Sequence, residues 1–176
     1  MPLDLQPTLQ GKLVTLRPLR ADDFPALYAV ASDPLIWEQH PDRDRYKEEV
    51  FKEFFREALA SRGALLASDA RDGQVIGSSR YYGFNAEKRE VEIGWTFLAR
   101  PHWGGRYNRE MKDLMLRHAF QFVDTVVFLI GPANIRSQRA VENIGAVRIG
   151  SRKNEKGRES LVYGITASTF AGENRS

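Results

Sequence analysis

Glu90-Val91-Glu92-Ile93-Gly94-Trp95-Thr96-Phe97, then Arg100-Pro101-His102-Trp103-Gly104-Gly105-Arg106-Tyr107-Asn108, then Arg109 to Phe122 is the stretch that decides the fold. In its first part Val91, Ile93, Trp95 and Phe97 fall on one face and Glu90, Glu92, Gly94 and Thr96 on the other, the period of a strand. In its last part Met111, Leu114, Met115, His118, Ala119 and Phe122 recur at helical spacing and predict an amphipathic helix. A glycine-bearing turn that opens a helix leaves backbone N–H groups unpaired at a positive dipole end. Such a turn suits a phosphate group. An anionic cofactor follows as the first functional expectation, and a carboxylate on the adjoining strand as the second.

With its flanks, this block resembles the signature of the GNAT superfamily of acyl-CoA-dependent N-acetyltransferases, in particular the branch acting on ribosomal-protein N-termini. Val91 to Trp95 is similar to that branch's strand motif, and Trp103 to Glu110 to its pyrophosphate loop and helix start. Asn134-Ile135-Arg136-Ser137, running on to Gly145-Ala146-Val147, is similar to its later cofactor-flanking helix. Leu13 to Leu19, followed by Asp22-Asp23, matches its first strand and helix, so the likeness covers nearly the whole chain in order.

The resemblance implies acetyl-CoA as co-substrate and a primary amine as acceptor. It implies that backbone N–H groups around Phe97, Leu98 and Ala99 hold the pantetheine arm and thioester carbonyl. Gly104, Gly105, Arg106, Tyr107, Asn108 and Arg109 would hold the pyrophosphate, with Asn134 and Ser137 flanking the arm. Two departures stand out: the family has small residues where this chain has Arg106 and Asn108. Arg106 either points away and leaves the N–H cradle intact or adds its charge to a phosphate. Val141 stands where many members carry a tyrosine acid, which makes Ser137 a candidate proton donor.

Elsewhere, Leu13 to Leu16 reads as a first strand, and Asp22 or Asp23 caps a helix that Ser32-Asp33-Pro34 stops. Val50, Phe51, Phe54, Phe55, Ala58 and Leu59 mark a second helix over Lys47 to Ala60. Ala64–Ala70 and Gln74–Tyr82 form a hairpin around Arg71-Asp72-Gly73. Val126 to Ile130 is uniformly apolar, as a strand buried on both faces is. A short helix from Asn134 to Asn143 ends at Gly145. Val147–Ser151 and Ser160–Ile165 make a last hairpin around Asn154 to Gly157, and the tail after Thr169 is expected to fray. The whole predicts an α/β single domain over residues 1–176, its central sheet mixed and mostly antiparallel and flanked by helices.

Composition agrees. The 176 residues are 42% hydrophobic and 28% charged, within the range of ordinary globular proteins. Zero cysteine excludes disulfides and thiolate-ligated metal. The N-terminus carries no secretion signal and no apolar run is long enough to span a bilayer, so a cytoplasmic location without membrane association is expected. The net charge is +3, with Arg100, Arg106, Arg109, Lys112, Arg136 and Arg139 grouped by the phosphate turn. That group is either a solvated helix face or a field that draws in a polyanion. It is small and balanced by Glu110, Asp113 and Glu142, which argues against nucleic acid as a partner.

Amide formation from a thioester needs a base for the ammonium, donors for the oxyanion and a positioned cofactor. Glu92 is the candidate base; its structural alternative is cross-strand pairing, as for Glu90. Trp37, Tyr82 and Trp95 either line an acceptor pocket or belong to the core. His40, His102 and His118 lack metal-ligand spacing, so no metal is implied. The acceptor is a protein N-terminus, an amino acid, a polyamine or an antibiotic, and the protein a monomer or homodimer. A non-catalytic acyl-CoA-binding module would keep the turn and discard the base.

Overall fold

These patterns fold into one eight-stranded sheet with helices on both faces. The structure is a computed structural model that describes residues 2–154 and 157–173. Its strands are β1 (Leu9–Gln10), β2 (Val14–Pro18), β3 (Ala64–Asp69), β4 (Val75–Asn85), β5 (Glu90–Leu98), β6 (Thr125–Ile130), β7 (Val147–Lys153) and β8 (Glu159–Thr166). Its helices are α1 (Phe24–Ala31), α2 (Glu48–Ser61), α3 (Arg106–Ala119), α4 (Ile135–Glu142) and α5 (Ala167–Glu173). In space the strands run β1-β2-β3-β4-β5-β6-β8-β7. All neighbours are antiparallel except β5 and β6.

Each face of the sheet has its own core. On one, Leu27 and Ala31 of α1 and Phe51, Phe54, Phe55 and Ala58 of α2 bury their apolar stripes against Leu66 and Phe97. On the other, Met111, Met115, Leu116 and Ala119 of α3 pack on Val91, Ile93 and Val126. Proline at the start of α1 is tolerated because the first-turn N–H has no helical partner. Gly145, at φ 98°, follows the end of α4 as the sequence predicts. β7 forms one edge of the sheet and is exposed along its whole length.

Three expectations are revised. The two-residue strand β1, paired Leu9↔Leu16 and Gln10↔Thr15, is too short to leave a periodic signal. The tail is not frayed after Thr169 but helical to Glu173, because Phe170 packs on Phe120 with ring centroids 5.4 Å apart. Glu155 and Lys156, where the last hairpin's turn is expected, and residues 174–176 of the tail lie outside the described residues.

The third revision concerns β5. Strand β4 advances from Ser78 to Arg80 while β5 advances from Phe97 to Gly94, one residue more, so β5 carries a bulge. Trp95 sits in it at φ 53°. An extra residue reverses the parity of everything beyond it. Val91 and Ile93 face the α3 core, but Phe97 joins the α1–α2 core with Trp95 packed against it. The single apolar face expected for Val91, Ile93, Trp95 and Phe97 is therefore split. Glu92 ends up on the same side as Trp95.

The parallel β5–β6 ladder has three rungs, Glu90↔Thr125, Val91↔Val126 and Glu92↔Val127. Beyond them the strands diverge, and α3 and α4 both begin beside the opening.

Candidate active site

The turn before α3 is built for close approach to its backbone. Gly104 and Gly105 stand at φ 109° and 96°. A side chain at either would be strained although nothing lies within 4 Å of the position it would take. The first helical bond of α3 runs from the Arg109 N–H to the Gly105 carbonyl at 2.8 Å. Among the described residues, the N–H groups of Gly105, Arg106, Tyr107 and Asn108 have no protein acceptor. These are the four orphan donors of a helix start, pointed outward.

Asp69 braces the turn from behind. Its buried carboxylate accepts from the Tyr107 hydroxyl at 3.0 Å and from His102 Nε2 at 3.1 Å, and it pairs with Arg71 at 2.9 Å. The Arg71 hydrogen bond, with the others, holds that carboxyl well below the usual range. Tyr107 thus gives the cradle its backbone and ties its ring to Asp69.

A cleft of about 610 Å³ opens over the cradle, with Arg106, Arg109, Arg136 and Arg139 in its walls. Arg136 lies 4.0 Å from the centroid of the Trp103 ring. The basic group expected around the turn is smaller than the sequence suggests. Arg100 is paired with Asp33 outside the cleft wall, and Lys112 is buried. Arg106 opens α3 with its backbone in the cradle and its side chain exposed, so the N–H array survives the family departure.

The cleft continues, past Asn108, Arg136 and Ala140, into a second cavity of about 660 Å³ set in the gap between β5 and β6. The Ala99 N–H is already donated to the Ile76 carbonyl at 2.7 Å and is not free for a ligand. Alternate strand residues turn their backbone groups to opposite sides, so Leu98 faces the gap. Its carbonyl takes the Trp103 indole N–H at 2.9 Å. Phe97 contributes a buried ring to the cavity wall. Across the gap, Asn134 caps α4 by accepting the Ser137 N–H at 3.3 Å, and Ser137 lines the cavity. Val141, one turn on, is buried core.

Glu92 reaches this cavity from the α1–α2 side. Burial pushes its carboxyl up to about 7, against the opposing pull of Arg152 and Arg80. Trp37, Tyr82 and Trp95 line the same end. Tyr82 and Trp95 pack edge to face at 5.2 Å. Trp37 is core first, 3% exposed, with its indole N–H on the Ala31 carbonyl at 2.8 Å. Glu90 does not make the cross-strand pair expected of it: its partner, Arg152 at 3.3 Å, belongs to β7, which is not a neighbour of β5 in the sheet.

Two cations by the site, Arg45 and Arg80, escape sequence reading, and a third, Lys112, is read there only as one of the basic group at the turn. Lys112 of α3 is 4% exposed and lines the cavity. Arg45 lies 4.8 Å from the Phe54 ring centroid and pairs with Asp42 at 2.9 Å. Arg80 stacks 4.3 Å from the Trp95 centroid with Nε and Nη2 buried and unpartnered among the described residues. Only Lys112 left a signal: it sits four residues from both Asn108 and the apolar Leu116, on the flank of the helix stripe.

The histidines are occupied separately. His118 Nε2 meets the Asp4 carbonyl at 2.7 Å, His102 meets Asp69, and burial pushes His40 down to about 4. Among the described residues no group of three or more His, Cys, Asp or Glu could hold a metal ion. No helix there is long and apolar enough to cross a membrane.

The acetyltransferase (GNAT) domain family matches residues 14–147. A search of curated proteins finds no match. Among solved structures, an acetyltransferase from Agrobacterium tumefaciens is 25% identical, with a TM-score of 0.69 over 90% of this chain and 94% of that one. A GCN5-related N-acetyltransferase from Brucella melitensis superposes with a TM-score of 0.85 at 18% identity, over 97% and 83% of the two chains. Mycobacterium smegmatis RimJ, in complex with CoA-disulfide, gives 0.69 at 19% identity over 92% and 87%.

Proposed function

The chain belongs to the GNAT acetyltransferase family, and on that footing we propose that it moves acetyl from acetyl-CoA directly to a primary amine in one ternary complex. One observation carries this reading: the orphan N–H cradle and the Glu92 carboxyl belong to one continuous space. The cradle and its four arginines take the pyrophosphate. The pantetheine arm follows the β5–β6 gap, with the Leu98 backbone on one side and Asn134 and Ser137 on the other. An extended arm there adds to the strand edge as peptides do in β-augmentation.

The amine enters at the Trp37–Tyr82–Trp95 end, where Glu92 takes a proton directly or through a water. A carboxyl tuned to about 7 can do this near neutral pH. The acceptor is a protein N-terminus or a small-molecule amine. Arg45 and Arg158 line this end, each paired with the carboxylate of Asp42 at 2.9 Å.

Acetyl-CoA binds the native state only, so at ~100 times its dissociation constant it adds roughly 2.7 kcal/mol, several degrees in a thermal melt. An acceptor screen read by thiol release then tests transfer. A melt unmoved by millimolar acetyl-CoA sinks the reading. A clear shift with no thiol release from any amine supports a non-catalytic CoA-binding module instead.

A further inference from the structure

A buried lysine without a counter-ion is costly, and this chain keeps one in the wall of its reaction cavity. Lys112 Nζ donates to Thr96 Oγ1 at 2.8 Å and to Asn108 Oδ1 at 3.4 Å, both neutral. Thr96 is held in turn by Ser79 Oγ at 2.8 Å. An ammonium has three donors, so one remains uncommitted. The charged and titratable groups that share the cavity include Glu92, His40, Asp42, Arg45, His102 and Arg136. None of them pairs with Lys112 among the described residues. Burial alone lowers it to about 7.

The bulge at Trp95 gives this lysine its meaning. Glu92 and Trp95 lie on the α1–α2 side of β5, whereas Thr96 turns to α3 and meets Lys112. The gap between β5 and β6 is therefore flanked by a carboxyl on one face and an ammonium on the other. Asn108, one turn before Lys112, lies where the cleft passes into the cavity, so the cofactor arm runs past this side.

We propose that Lys112 is the proton donor to the departing sulfur of the coenzyme, a role that rests on the acyl-transfer reading above. The amine nitrogen bonds to the acyl carbon and one of its protons passes to Glu92. The carbon–sulfur bond breaks with its electron pair going to sulfur, which takes a proton from the Lys112 ammonium. CoA leaves as the thiol. Glu92 then returns its proton to solvent and neutral Lys112 takes one up through the open cavity. Base and acid each lie near neutrality, the tuning general acid–base catalysis requires. Ser137 then flanks the arm without acting as the acid.

Lys112→Met keeps the length of the side chain and removes a buried charge, so it should fold. In the wild type, kcat against pH should be bell-shaped; in Lys112→Met it should fall about 10²-fold and keep only the acid limb set by Glu92. The thiol pKa of bound CoA, read by thiolate absorbance without any acceptor, should fall by about one unit in Lys112→Arg, which keeps its charge where the thiol titrates, whereas Lys112 is by then neutral. The Arg variant, unable to give up a proton, should not restore kcat. A Met variant with the wild-type profile, or an Arg variant with full kcat or an unshifted thiol pKa, overturns the proposal and leaves acyl transfer standing. A wild type that binds no CoA overturns both.

Discussion

The carboxylate of Glu110, on α3, accepts the backbone N–H of Val14, on β2, at 2.8 Å. The same carboxylate takes the N–H groups of Lys12 and Leu13 at 2.8 and 2.7 Å. Glu110 is thus a clamp on the β1–β2 turn and not a counterweight to the arginines of the cleft. Glu110→Ala strands three donors and should cost about 2–3 kcal/mol. Urea denaturation of both proteins checks this; a loss below about 0.5 kcal/mol would mean the turn holds without the clamp.

Glu92→Gln keeps the size and hydrogen bonding of the side chain but cannot take a proton. Turnover should fall about 10²-fold while CoA affinity stays put. In the wild type, the acid limb of the kcat profile should be set by Glu92 near 7, because the base must be ionised. That limb should be absent from the variant. Full activity of the variant at the wild-type optimum clears Glu92.

Gly105→Ala tests the cradle without touching a charge. Space is open, but φ is 96°, where an L-residue is strained by roughly 1–2 kcal/mol. The variant should lose CoA affinity at least severalfold by calorimetry, with a fold destabilised by no more than that strain. Unchanged affinity would place the pyrophosphate elsewhere.

Arg106→Ala keeps the backbone array and removes one wall of the cleft. If the guanidinium reaches a phosphate, CoA binding weakens by about 1.5–3 kcal/mol. Identical calorimetric titrations would mean that Arg106 serves through its backbone alone.

Lys112 leaves a mark on stability as well. From about 7 to 10.5 the unfolded chain binds a proton at this site that the folded chain has released. Stability from this site therefore rises with pH across that window and is lowest below it. Lys112→Met should gain on the wild type most at pH 6 and least at pH 10. Equal differences at both values would show that the ammonium is not desolvated.

Elements with a period were legible: α2 and β6 lie where their patterns put them, within a residue, and α3, at Arg106–Ala119, begins and ends three residues before the Arg109 to Phe122 that its stripe suggests. The turn at Gly104–Gly105 was legible because two adjacent glycines before a helix stripe leave few other readings. The sides of β5 were not. The bulge rests on Trp95 adopting a left-handed conformation, and no residue type there announces it. Nor was the burial of Lys112, since a lysine beside a phosphate turn reads as surface until the helix is docked. Glu110 looked like charge balance because its partners are backbone groups 96 to 98 residues away. Ion pairs follow composition; clamps on distant main chain do not.

A sheet whose borders can accept another strand risks growing into a polymer, and the two borders of this one are closed by different means. β1 offers only two residues, Leu9 and Gln10. β7 is longer and tempting, with Val147 62% and Ile149 57% exposed. Its ladder is irregular between Arg148 and Gly150, and it carries Arg148, Arg152 and Lys153. Two copies meeting antiparallel about Gly150 would set Arg148 against Arg152 in both directions. The apolar residues open to a twin are flanked by charges that repel it, which works against edge-to-edge pairing through β7.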